Sequence, residues 1–296
     1  HDNRNQVAQA ALEQLLQVFV KAGIVFTQAA TKKPESYPLS SQQSRIYIAQ
    51  SLLKEKNTYH IPMAFCLPAQ TDIPRLCNAL KALVERYDIF RTSFFLENGQ
   101  LRQKVASQVD FAPRVRKCQD FDPTTFTPGE PFDLSVAPLL RAEVVQTEAA
   151  VYLLLETHHI IFDGASLNIL RQELLRLYRG ETLPPVRLQY PSCCLWKQTR
   201  QEDEDYWKSH FSNGVPLLEL PTDLPRNKDR SYRCGVETVM LDSALVSRLQ
   251  RTSAACSTTE FALLTAATHL LFSRYCGQKD TILGTAMSGR TQARLQ

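Results

Sequence analysis

The spacing of apolar residues changes several times along the chain, and each change marks a new element. Residues 6–22 carry apolar side chains at helical spacing and predict an amphipathic helix. The polar stretch TQAATKKPESYP (27–38) predicts a linker ending in proline. In LSSQQSRIYIAQSLLKE, Ile46, Ala49, Gln50 and Leu53 recur at helical spacing behind a cap at Ser40 or Ser41. YHIPMAFCL (59–67) is an apolar run of strand length. DIPRLCNALKALVERY (72–87) places Leu76, Leu80, Leu83 and Val84 on one helical face, and FRTSFFL (90–96) reads as a strand leading into an Asn98–Gly99 turn. Two antiparallel strands with a polar turn at 146–149 are expected within 137–159. SLNILRQELLRLYRG (166–180) then predicts a helix capped by Ser166, with Leu167, Leu170, Leu174 and Leu177 on one face and Gly180 at its end.

Beyond residue 180 the pattern loosens. A proline-bearing crossing segment (181–196) leads to an acidic helix containing EDEDYWKSHF (202–211) and then a loop (220–235). Val236–Met240 reads as a short strand, 243–257 and 259–277 as helices, and DTILGTAMSGR (280–290) as a strand running into a glycine turn. The expected organisation is an N-terminal helix and linker over 1–36, a compact unit over 37–185, and a crossing segment with a further unit over 186–296.

Composition alters this picture little. The 296 residues are 44% hydrophobic and 22% charged, ordinary globular usage with enough apolar surface for one large or two small cores. A formal net charge of +4 without long basic runs is too mild to argue for nucleic acid or a membrane surface as partner. The apolar stretch 12–26 is too short to span a bilayer and contains Glu13 and Lys21. Neither GxGxxG, GxxxxGK[ST] nor GxSxG occurs, which removes the usual dinucleotide, phosphate-cradling and hydrolase-elbow signals. The eight cysteines show no CxxC spacing, and only Cys193 and Cys194 adjoin, so they are read as reduced thiols of a cytoplasmic protein.

Chemistry concentrates in LETHHIIFDGAS (155–166), at a strand-to-helix transition. Neighbouring side chains on a strand point to opposite faces, so His158 and His159 are poorly placed to chelate one metal, and no HExxH accompanies them; no metal site is expected. A free imidazole, with a reference pKa of about 6.5, instead suits proton transfer at neutral pH. Asp163 can orient that imidazole directly, or turn away and brace the turn; the Asp–Gly pair favours bracing. Ser166 is expected to cap a helix rather than act as a nucleophile, since no elbow motif surrounds it.

The block HHIIFDGAS resembles the HHxxxDGxS signature of condensation domains in nonribosomal peptide synthetases, members of the chloramphenicol acetyltransferase-like superfamily. LSSQQSRIYIAQ (39–50) is similar to that family's first motif, RYDIFRTSF (86–94) to its RHExLRTxF, LPTDLPRNKDRSYRCG (220–235) to its bridging loop, and GTAMSGR (284–290) to its GTPxAGR. The blocks occur in family order across roughly residues 37 to 290. Two depart from the pattern. RHE is replaced by Arg86-Tyr87-Asp88, and the YxDYAxW block is reduced to Tyr190 and Trp196.

The resemblance implies an α/β fold of the chloramphenicol acetyltransferase-like type, a two-lobed pseudo-dimer whose mixed sheets are flanked by helices. Because the chain stops just after Arg290, the second lobe is expected to be incomplete. The implied reaction is amide formation between an upstream carrier-bound acyl or peptidyl thioester and the amine of a downstream carrier-bound aminoacyl group. His159 and Gly164 would be catalytic, as proton acceptor or positioning group and as oxyanion donor. His158, Asp163 and Arg91 would be structural at the active site, with Asp163 paired to Arg91 or, failing that, Arg86. Gly289 and Arg290 would line the tunnel. No cofactor is implied, since substrates arrive on the phosphopantetheine arms of upstream and downstream peptidyl carrier proteins, with an adenylation domain adjacent. The same motif also fits an epimerization domain, a stand-alone acyltransferase, or a carrier-docking module without catalysis.

Overall fold

The computed structural model describes residues 34–195, 201–225 and 235–287. The expected helix over 6–22, part of its linker, Trp196, part of the 220–235 loop, Gly289 and Arg290 lie outside the described residues.

Helix α1 (Ser41–Leu52) starts where Ser40 closes a capping box: its hydroxyl accepts from the Gln43 amide, and the Gln43 carboxamide accepts from the Ser40 amide. Strand β2 (His60–Pro68) follows β1 (Tyr37–Pro38) in the chain and alternates between covered and exposed positions, as a period-two run should. Helix α2 (Ile73–Arg86) is capped by Asp72 and begins with proline in its first turn, where the missing N–H costs nothing. A 3-10 turn (Asp88–Arg91) delivers the chain into β3 (Thr92–Glu97), which pairs with β4 (Gln100–Val105) across the Asn98–Gly99 turn. Both turn residues have positive φ, +50° and +76°, the two-residue geometry that matches strand twist.

Strand β5 (Arg114–Lys117) is a short basic edge; β6 (Leu140–Gln146) and β7 (Ala150–His158) form the hairpin expected within 137–159. The main sheet has the order β2-β7-β6-β5, antiparallel except for the parallel β5–β6 pair, and β1-β4-β3 form a smaller sheet. Register sets His60 opposite His158 and Arg141 opposite Glu156. Helices α2 and α3 (Gly164–Tyr178) cover one face: Leu76, Leu80, Leu83, Val84 and Leu170 belong to the same buried cluster as Val144, Leu153 and Leu155. Each such buried side chain contributes roughly 1.5–3 kcal/mol of hydrophobic stabilisation.

The later part holds α4 (Tyr190–Cys193), α5 (Gln201–His210), α6 (Ser243–Ala255) and α7 (Glu260–Cys276). The last three match the helices expected there. The strands expected at Val236–Met240 and 280–290 do not form among the described residues. A strand needs a hydrogen-bonded neighbour, and Val236, Val239 and Met240 are 80–88% exposed. No described helix is long and apolar enough to cross a membrane.

Candidate active site

The candidate site is the turn between β7 and α3. His158 closes the strand with a fully buried ring whose Nδ1 accepts the Ile160 N–H at 3.1 Å. An accepting Nδ1 places the proton of the neutral ring on Nε2, which has no hydrogen-bond partner among the described residues. Burial, reinforced by His60 and His159, lowers the His158 pKa to about 4, so the ring is neutral at physiological pH.

His159 is exposed. Its backbone amide donates to the Tyr59 carbonyl at 2.8 Å, and its Nδ1 stands 2.9 Å from the Phe162 carbonyl oxygen. A carbonyl only accepts, so Nδ1 carries a proton, and in the neutral ring the lone pair is on Nε2. Among the described residues Nε2 has no hydrogen-bond partner. One ring is thus enclosed, and the next is exposed with its Nδ1 held by a backbone carbonyl.

Asp163 is the N-cap of α3, its Oδ1 accepting from both the amide and the hydroxyl of Ser166. The helix therefore begins two residues earlier than expected, and Ser166 is held by the cap instead of supplying it. A short carboxylate at this spacing satisfies an N-terminal amide directly, which outweighs the weaker serine signal. Gly164 is the first helical residue, at the positive end of the helix dipole. A Cβ there would meet no atom within 4 Å, so packing among the described residues does not require glycine.

The expected Asp163–Arg91 pair does not form. Arg91 pairs with Asp88 at 2.6 Å and donates to the Ala106 and Ser107 carbonyls, because one 3-10 turn brings Asp88 and Arg91 side by side. Arg86, the second choice, pairs with Glu173 at 2.9 Å and donates to the Pro184 carbonyl. Tyr190 donates its hydroxyl to Ser40 at 3.0 Å.

Sequence reasoning missed a charged cluster on the sheet face that carries His158. His60 Nδ1 lies 2.6 Å from Glu156 Oε1, which also accepts the Gly129 amide, and Arg141 donates to Oε2 at 2.9 Å. The Arg141 guanidinium stacks 3.9 Å above the Phe132 ring, which itself packs against His60. Burial alone would raise the Glu156 pKa; the hydrogen bonds from His60, Arg141 and Gly129, with the charge of Arg141, hold it below the usual range. The available signal was Glu156 itself, a lone carboxylate after three leucines in a buried strand, which demands partners. No group of three or more His, Cys, Asp or Glu side chains among the described residues is arranged to hold a metal.

The mixed sheet under two helices, with the paired histidines at its strand end, is the α/β architecture expected for the chloramphenicol acetyltransferase-like fold. The model of the condensation domain family matches residues 33–296, and the chain belongs to that family. Tyrocidine synthase 2 of Brevibacillus parabrevis is 38% identical over 268 residues, covering 88% of this chain and 8% of that protein. Bacitracin synthase 2 of Bacillus licheniformis is 35% identical over 279 residues, covering 91% and 11%. The chain thus spans about a tenth of these relatives or less. The condensation domain from the Monacolin K polyketide synthase MokA superposes with TM-score 0.71 at 20% identity, over 88% of this chain and 64% of that one. The X-domain in complex with OxyB from teicoplanin biosynthesis gives 0.70 at 24%, over 83% and 58%.

Proposed function

We propose that this chain carries the histidine-bearing lobe (37–185) of an acyltransferase that forms amide bonds in nonribosomal peptide synthesis, with residues 186–296 belonging to the partner lobe. The donor is an acyl or peptidyl thioester on an upstream carrier protein, and the acceptor is the amine of an aminoacyl group on a downstream one. The observation that carries the reading is His159, exposed and with its Nδ1 held by the Phe162 carbonyl, which leaves Nε2 without a hydrogen-bond partner among the described residues.

In the reaction the acceptor nitrogen attacks the thioester carbonyl, the C–N bond forms and the C–S bond breaks. His159 Nε2 accepts the proton leaving nitrogen and hands it on to the departing thiolate, which leaves as the thiol and returns the ring to its neutral form. The Gly164 amide, at the start of α3, stabilises charge developing on the carbonyl oxygen. His158 supports the turn, and neither step calls for a metal or redox group. Tyrocidine synthase and bacitracin synthase are named as synthases, in keeping with this chemistry.

The test is to incubate the chain, and its His159→Ala variant, with donor- and acceptor-loaded carrier proteins and follow masses of the intact proteins. Amide product that the variant fails to make supports the reading. Inverted α-carbon stereochemistry on a single carrier without amide would indicate epimerization. Carrier binding with no chemistry, also in the longer synthetase, would indicate a docking module.

A further inference from the structure

Gln43 lies on α1, more than a hundred residues from His159 in sequence, yet it reaches the same turn. Its side chain is 2% exposed and that of Gln103 is fully buried, and the two carboxamides face each other as a reciprocal pair. Gln103 Nε2 donates to Gln43 Oε1 at 3.2 Å, and Gln43 Nε2 lies 3.4 Å from Gln103 Oε1. That uses one of the two Gln43 N–H bonds. The other points to the Ile160 carbonyl, also at 3.4 Å, the long end of hydrogen bonding. Ile160 follows His159 directly, and its own amide donates to His158.

The pair is fixed from several sides. Gln43 Oε1 also accepts the Ser40 amide, and Gln103 Nε2 also reaches the Pro38 carbonyl at 2.8 Å and Cys194 Sγ at 3.4 Å. Tyr190, at the start of α4, donates to Ser40. Buried amides without partners are unfavourable, so these groups hold one arrangement, and the Ile160 peptide is held with them.

We propose that Gln43 is a positioning residue for His159, acting through the Ile160 carbonyl. Ile160 lies in the tight turn closed by the Ile161 N–H on the His158 carbonyl, and Phe162 follows that turn directly. Fixing the Ile160 carbonyl sets the distance from the Phe162 carbonyl to His159 Nδ1, and hence which ring nitrogen is basic. The proposal rests on the catalytic reading of His159 only for its effect on rate; the effect on the ring stands alone.

The test uses Gln43→Met, which keeps volume and removes the amide, and Gln43→Glu, which keeps an acceptor for Ser40 and Gln103 but loses the donor to Ile160. Gln50→Met on the same helix is the control, since Gln50 is also buried and donates to the Lys56 carbonyl away from the turn. Imidazole nitrogen NMR of each chain reads the His159 tautomer, and amide formation by the same proteins reads kcat and KM. Expected are a single Nδ1–H tautomer in the parent and the control, mixed tautomers in both Gln43 variants, and a roughly 10- to 100-fold loss of kcat with KM unchanged. A Gln43 variant that keeps the single tautomer overturns the proposal, as does a Gln50→Met chain showing the same mixture. Failure of both Gln43 variants to fold, while Gln50→Met folds, would overturn it in favour of a purely architectural role. Mixed tautomers in the variants with no amide from the parent would leave the positioning intact and remove the proposed reaction instead.

Discussion

A histidine whose Nδ1 faces a carbonyl oxygen has one neutral tautomer available, and at His159 that leaves Nε2 as the basic atom. Its neighbour is the opposite case. His158 is enclosed with its pKa lowered to about 4, so the unfolded chain binds a proton there at a higher pH than the folded chain does. Stability contributed by neutral His158 is complete above the unfolded value of about 6.5 and is lost as pH falls toward about 4, on the order of 3 kcal/mol across the whole window. Glu156, whose pKa is lowered in the fold, loses its contribution only as pH falls below the ordinary carboxylate range. Thermal melting should therefore decline between about pH 6.5 and pH 4.5 in the parent chain, and the slope should flatten in His158→Asn. A slope unchanged by the substitution would assign the loss to other groups.

At the scale of elements, the turn is held between a strand end and a helix start, and each can be tested apart from chemistry. Asp163→Ala should destabilise the fold by about 1 kcal/mol in urea titrations, and Asp163→Asn by less, because the amide oxygen still accepts from the Ser166 N–H. Equal losses would mean that the carboxylate charge, and not the cap, is what matters. Glu156→Ala should cost about 3 kcal/mol or more by leaving His60 and Arg141 without their shared acceptor inside the sheet. A near-neutral result would show that water replaces the carboxylate. These elements were unevenly legible. The 72–87 helix and the β6–β7 hairpin were readable because their apolar positions repeat over ten or more residues around a buried face. β5 was not, since four exposed residues on an edge carry no alternation. The pairing of Asp88 with Arg91 was hidden because sequence spacing does not announce a 3-10 turn.

Across the whole molecule, separate motifs converge around Gln43, whose carboxamide borders the histidine turn at the Ile160 carbonyl. The first motif supplies Ser40 and Gln43, β4 supplies Gln103, and the crossing segment supplies Tyr190 and Cys194. Gln189 extends the same segment to the Asp88 amide and the Arg86 carbonyl. The order of these blocks along the chain was visible in the sequence and pointed to the family. Their meeting was not, because buried amide and thiol contacts join residues 60 to 151 positions apart, and no local periodicity records such pairs. In the later part, apolar spacing located three helices, while the two strands it also suggested do not form among the described residues, since alternation says which face would be covered and not whether a neighbouring strand is there.

The central claim is that His159 Nε2 receives the proton lost by the attacking amine. The most direct measurement is single-turnover amide formation with pre-loaded carrier proteins, comparing the parent with a folded His159→Ala variant at neutral pH. A fall of roughly 10²- to 10⁴-fold in the rate of the bond-forming step, with carrier binding unchanged, is the predicted result. A variant that forms amide at the parent rate would contradict the account.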